Sequence, residues 1–90
     1  MGDTERVFTP TDRLLQILVE LAREGRPMQA KELAQRAGQP LSTAYRHLET
    51  LKAWGLAADL GRSEGVALGP ACMLIARYFD RPEHLLNIDR

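Results

Sequence analysis

The 90-residue sequence predicts a mainly α-helical domain completed by a small β-hairpin. Three observations support this fold class. Apolar residues recur every three or four positions in several segments, the period changes after Gly55, and a loop with glycine at both ends separates two short apolar runs beyond it.

The first helix is expected to begin near Thr9-Pro10-Thr11-Asp12, with Thr11 as N-cap and Asp12 in the first turn, where the helix dipole favours negative charge. Leu14, Ile17, Leu18 and Leu21 form its apolar stripe, widened by Leu15 and Ala22, and Gly25 and Pro27 end it. A second helix spans about 30–37, with Leu33, Ala34 and Ala37 on one face and Lys31, Glu32, Gln35 and Arg36 on the other. Gln29 would be its N-cap, a poor residue for that position, and Gly38 supplies the left-handed residue that ends it.

A third helix follows, with Pro40 suited to its first position. Leu41, Ala44, Leu48 and Leu51 make one narrow stripe. Ser42, Thr43, Arg46, Glu49 and Thr50 lie opposite, Tyr45 and Lys52 on one flank and His47 on the other, and Gly55 closes the helix. The residues 56–60 and 66–68 are short strand candidates around the loop 61–65, expected to be tight and mobile. A fourth helix after Gly69-Pro70 is apolar over most of its circumference, and a stub with Leu85, Leu86 and Ile88 follows Asp80-Arg81-Pro82. Helix, helix, four-residue turn, helix, hairpin, helix is the order of a winged helix-turn-helix.

Composition removes several functions. Apolar residues are 44% and charged residues 27%, the balance of a folded domain rather than a disordered tail. No apolar run approaches the ~18 residues that cross a bilayer. The start Met1-Gly2-Asp3-Thr4-Glu5-Arg6 lacks the apolar stretch of a signal peptide, so a cytoplasmic setting is expected and no membrane contact. One cysteine, Cys72, makes neither an internal disulfide nor a thiolate cluster, and in an apolar helix it reads as a small hydrophobe. Neither Cys72 nor His47 nor His84 has partners at catalytic or ligand spacing, and no glycine-rich loop resembles a phosphate-binding motif. No enzyme activity, metal or cofactor is expected.

Net charge is zero, from 12 basic and 12 acidic residues, yet its distribution is uneven. Residues 26–55 carry Arg26, Lys31, Arg36, Arg46 and Lys52 against Glu32 and Glu49, between two mildly acidic flanks. A modest positive field of this kind suits an anionic partner. The third helix carries the residue types that a major-groove helix needs: small hydroxyls near its N-terminus and a long donor one turn later. Ser42, Thr43, Tyr45, Arg46 and Thr50 supply that set, and Arg62 at the loop tip has the chemistry to reach a minor groove. A solvated helix face carries the same Ser, Thr and Arg residues, and a lone loop arginine is also what plain solvation leaves. The residues by themselves therefore fit two functions, sequence-specific DNA binding and a winged helix used only for protein–protein contact or dimerisation.

The run Arg13-Leu14-Leu15-Gln16-Ile17-Leu18 resembles the opening of the IclR-type transcriptional regulators. The resemblance continues through Glu32-Leu33-Ala34, Gly38, Ser42-Thr43-Ala44-Tyr45-Arg46-His47-Leu48, Leu51, Gly55 and Leu68-Gly69-Pro70, without gaps from residue 13 to about 79. It implies an N-terminal winged helix that binds double-stranded operator DNA as a homodimer, with a linker helix leading to a domain that senses a small molecule. On that pattern Ser42, Thr43, Tyr45 and Arg46 fall on recognition-helix positions, and the first and fourth helices fall where the family pairs its DNA-binding domains. Two residues depart from the pattern: Leu41 stands where a basic residue often opens the recognition helix, and Val66 replaces an aromatic of the second wing strand. The expected organisation is an N-terminal arm at 1–10, the winged helix at 11–79 and the start of a linker at 80–90. An effector domain is expected only beyond Arg90, so effector sensing is expected only through that missing part.

Overall fold

The computed structural model describes residues 7–79, in the order α1 (Pro10–Glu24), α2 (Ala30–Ala37), α3 (Leu41–Ala53), β1 (Ala57–Asp59), β2 (Val66–Leu68) and α4 (Cys72–Phe79). It is mainly helical with one antiparallel hairpin, as the sequence predicts. The expected stub after Phe79, and the arm before Val7, lie outside the described residues.

α1 starts earlier than expected. Thr9, not Thr11, is the N-cap: its hydroxyl accepts from the Asp12 amide at 3.2 Å, while the Asp12 carboxylate accepts from the Thr9 amide at 2.8 Å. This reciprocal pair fixes the frame, because Pro10 then takes the first helical position, where its missing N–H costs nothing. The helix thus takes in the last residue assigned to the arm.

α2 has the expected bounds, with Gln29 at the N-cap making no side-chain capping bond. It ends on Gly38 at φ 66°, whose amide donates to Gln35 O while the Gln39 amide donates to Ala34 O. These paired bonds close the helix and require a left-handed residue, so glycine is needed here. The turn to α3 holds three residues, Gly38, Gln39 and Pro40, rather than four, and Pro40 is the N-cap rather than the first helical residue. Buried Gln39 secures the turn, donating from Nε2 to the carbonyl of Arg13 at 2.9 Å.

The core lies where α1, α2 and α3 meet. Ile17 and Leu21 pack with Leu33, Ala34 and Ala37 and with Ala44, Leu48 and Leu51, and Met28, Ala57 and Val66 cap the assembly. Leu41, expected in the α3 stripe, is instead exposed, and His47, expected on a flank, is buried. The reason is that the buried arc of α3 runs through Ala44, His47, Leu48 and Leu51. Leu41, the first residue of the helix, falls outside that arc.

The first strand is shorter than the run 56–60, and β1 pairs with β2 in the register Ala57 to Leu68, Ala58 to Ala67 and Asp59 to Val66. A third chain segment joins the sheet. Met28, between α1 and α2, exchanges both backbone hydrogen bonds with Val66, at 2.9 and 2.8 Å. Gly65 lies so near this segment that an added Cβ would stand 2.6 Å from the Met28 carbonyl carbon. The wing that sequence reasoning takes for a mobile loop is therefore fastened to the helical body at its base.

α4 begins at Cys72, after a tight turn over Pro70 and Ala71. None of its residues is buried, and Met73, Leu74, Ile75, Tyr78 and Phe79 are all exposed. Cys72 Sγ donates to the Leu56 carbonyl oxygen at 3.4 Å.

Candidate nucleic-acid interface

Away from the core, α3 presents Ser42, Tyr45, Arg46, Glu49 and Thr50 to solvent, with Thr43 half-buried beside them. Five of the six residues expected to meet DNA therefore lie on or at the edge of one helix face. The sixth, Arg62, is exposed in the loop between β1 and β2. Tyr45 and Arg62 line a common groove with Gln29, Ala30, Asp59 and Gly61, so the wing and the helix bound the same concave surface. Thr50 uses its hydroxyl internally, donating to the Arg46 carbonyl at 3.4 Å, which leaves it less available to a partner than Ser42.

Tertiary structure redistributes the charge read from the sequence. Arg36 pairs with Glu24 at 2.9 Å and with Glu32 at 3.3 Å, and Arg26 pairs with Glu32 at 2.8 Å. The hydrogen bond from Arg26 holds the Glu32 carboxyl below its usual range and raises the Arg26 guanidinium. Lys52 lies between Glu49 at 2.8 Å and Asp59 at 3.6 Å, and its hydrogen bond to Glu49 raises its ammonium. Asp59 is held low mainly by the Gly61 amide, which donates to its Oδ1 at 3.0 Å. Of the five cations in residues 26–55, only Lys31 and Arg46 carry no ion pair among the described residues. Arg62 likewise has an unpaired guanidinium. An unpaired arginine on an exposed helix face keeps all its donors for an external acceptor.

His47 lies behind this face. Burial chiefly, then the charges of Arg46 and Arg13, lowers its tendency to protonate, and its Nε2 has no hydrogen-bond partner among the described residues. It belongs to the buried side of α3. Among the described residues no three His, Cys, Asp or Glu side chains are grouped to hold a metal ion, and no helix is long and apolar enough to cross a membrane.

Sequence reasoning missed three contributors. Met28 supplies the third sheet segment, Gln29 reaches the wing, and Gln39 locks the turn. Only Gln29 left a trace in the sequence, as an unsuitable residue at a helix start.

Three helices about one core, a short glycine-bearing turn before an exposed third helix, and a hairpin beside it define the winged helix-turn-helix class of DNA-binding domain. The model of the IclR helix-turn-helix domain matches residues 10–60, from the start of α1 to the residue after β1. The chain belongs to that family and carries a DNA-binding regulator domain. No curated protein matches the chain.

Proposed function

We propose that this domain binds operator DNA sequence-specifically, in the cytoplasm, as part of an IclR-like transcriptional regulator. The observation that carries the reading is the guanidinium of Arg46, without an ion pair among the described residues, on the exposed face of α3 beside the groove shared by Tyr45 and Arg62. A helix with its side chains is about as wide as the major groove, which is roughly 12 Å across. α3 enters that groove, Ser42 and Thr43 contact phosphates or base edges near its N-terminus, Arg46 reads a base edge, and Tyr45 and Thr50 border the contact. Arg62 enters the neighbouring minor groove. The interface involves no metal, cofactor or catalytic step.

The domain, residues 11–79 with its helix start at Pro10, acts as a homodimer. The support is α4, whose Met73, Leu74 and Ile75 are exposed among the described residues, together with exposed Leu15 and Val19 on α1. Residues 80–90 begin a linker, and effector control belongs to a separate C-terminal domain. Two-fold pairing places the two α3 helices on half-sites about 34 Å apart or a multiple of that spacing.

Anisotropy titration of labelled duplex DNA against salt tests the reading. Affinity is expected to fall steeply, with a logarithmic slope of about −0.9 for each phosphate neutralised. Selection from random duplexes should recover a two-fold related site. Salt-independent affinity, or none, would leave the domain as a protein-interaction module.

A further inference from the structure

Gln29 stands at the N-cap of α2, where Ser, Thr, Asp or Asn would accept a bond from the first amides of the helix. It makes no such bond. Its Nε2 instead donates across the molecule to the carbonyl oxygens of Arg62 at 2.9 Å and Ser63 at 3.4 Å, more than thirty residues away. The wing is otherwise tied to the body at its base, through Met28 and Val66 and through the ion pair of Lys52 with Asp59 at 3.6 Å. Within the loop, Leu60 donates to Gly65 and Gly65 donates to Gly61, bonds that shape the turn without orienting it on the body. Asp59, paired with Lys52, holds the Gly61 amide at the start of the loop, and Gln29 provides the side-chain tether of the Arg62 and Ser63 carbonyls at its tip. The tethered carbonyl belongs to Arg62, a residue of the groove that Tyr45 borders, whose guanidinium has no ion pair among the described residues.

We infer that Gln29 is a positioning residue for DNA recognition. By holding the Arg62 backbone it fixes the direction in which that side chain leaves the wing, so less freedom is lost when Arg62 meets a duplex. A local preference for a good cap is given up for this tertiary contact, the kind of conflict that marks a functional position. The inference rests on the DNA-binding reading above and adds a residue that does not itself touch DNA.

Gln29→Asn separates positioning from folding. Asparagine is a favoured N-cap, so α2 and the thermal stability of the domain are maintained or improved. Its side chain is one methylene shorter and loses the reach to Arg62. Backbone amide order parameters at Arg62 and Ser63 in the free protein are expected to fall while those of α2 and β2 hold. Affinity for a fluorescein-labelled duplex carrying a run of A·T pairs, whose narrow minor groove attracts arginine, is expected to fall about two- to tenfold, the range of one net hydrogen bond. In the Arg62→Ala background the same Gln29→Asn change is expected to have no further effect on affinity. Unchanged wing order parameters, or an equal affinity loss in both backgrounds, would overturn the inference. Normal binding by the natural sequence with no change in Gln29→Asn would overturn it alone. Absence of any salt-dependent binding by the natural sequence would overturn the DNA-binding reading and this inference together.

Discussion

Gly61 and Gly65 bound the same loop and have similar backbone angles, φ 102° and 95°, but different surroundings. An alanine at Gly61 meets nothing within 4 Å, so Gly61→Ala pays only for an unfavourable backbone conformation, about 1–3 kcal/mol. At Gly65 the same backbone term applies, and the new Cβ also falls 2.6 Å from the Met28 carbonyl carbon and 3.0 Å from the Gln29 amide nitrogen. Those are backbone atoms, so relief requires the wing and the segment between α1 and α2 to separate by about an ångström. Separation breaks the two Met28–Val66 hydrogen bonds, worth about 1 kcal/mol each net. It also opens contacts of Met28, a side chain buried in the core. Gly65→Ala should therefore cost roughly 3–6 kcal/mol. That is a large part of the roughly 5–13 kcal/mol expected for a domain of this length. Urea unfolding followed by far-ultraviolet ellipticity measures both variants, since Trp54 is already 74% exposed and its fluorescence will report unfolding weakly. A difference between the two variants under about 0.5 kcal/mol, the usual spread for a surface substitution, would refute the docking of the wing base on Met28.

Other substitutions address the remaining parts. Arg46→Ala is expected to cost about 1–3 kcal/mol on a selected operator and to relax discrimination at one base pair, measured by competition titration; an equal loss on random DNA would make Arg46 a phosphate contact. Thr9→Ala removes one half of the reciprocal cap of α1 and should lower unfolding free energy by about 1 kcal/mol, while Thr9→Ser should restore most of it. Leu33→Ala, at the centre of the core, should cost about 2–5 kcal/mol in the same urea experiment. Because burial and the neighbouring arginines lower the His47 pKa from its ordinary 6.5, the unfolded chain takes up the proton first as pH falls. The stabilisation is complete above that value and is lost progressively as pH falls from 6.5 towards the folded-state pKa. Urea midpoints across this range should decline for the natural sequence and flatten for His47→Leu.

Much of this domain is local in origin and so legible in the sequence. The apolar period of α1 and α2, the glycines at 25, 38 and 55 that end three helices, and the glycine-flanked hairpin are matters of residues within a few positions of each other. The same holds for the run from Ser42 to Leu48 that carries the family resemblance, and for placing Ser42, Arg46, Glu49 and Thr50 on the solvent side of α3. Register was harder even locally. Thr9 and Thr11 both precede Asp12, but only Thr9 has the spacing that lets hydroxyl and carboxylate cap each other around Pro10. What the tertiary structure alone decided are pairings between distant residues. Arg36 meets Glu24 twelve positions away, which removes a cation that a count along the chain leaves free. Met28 becomes a strand only because Val66 arrives beside it, and the weak cap at Gln29 makes sense only once Arg62 is within reach. His47 and Leu41 exchanged expected environments because the arc of α3 that is buried depends on where α1 and α2 pack against it. Periodicity states that a helix has a buried side, while the width and phase of that side are set by neighbours brought from elsewhere in the chain.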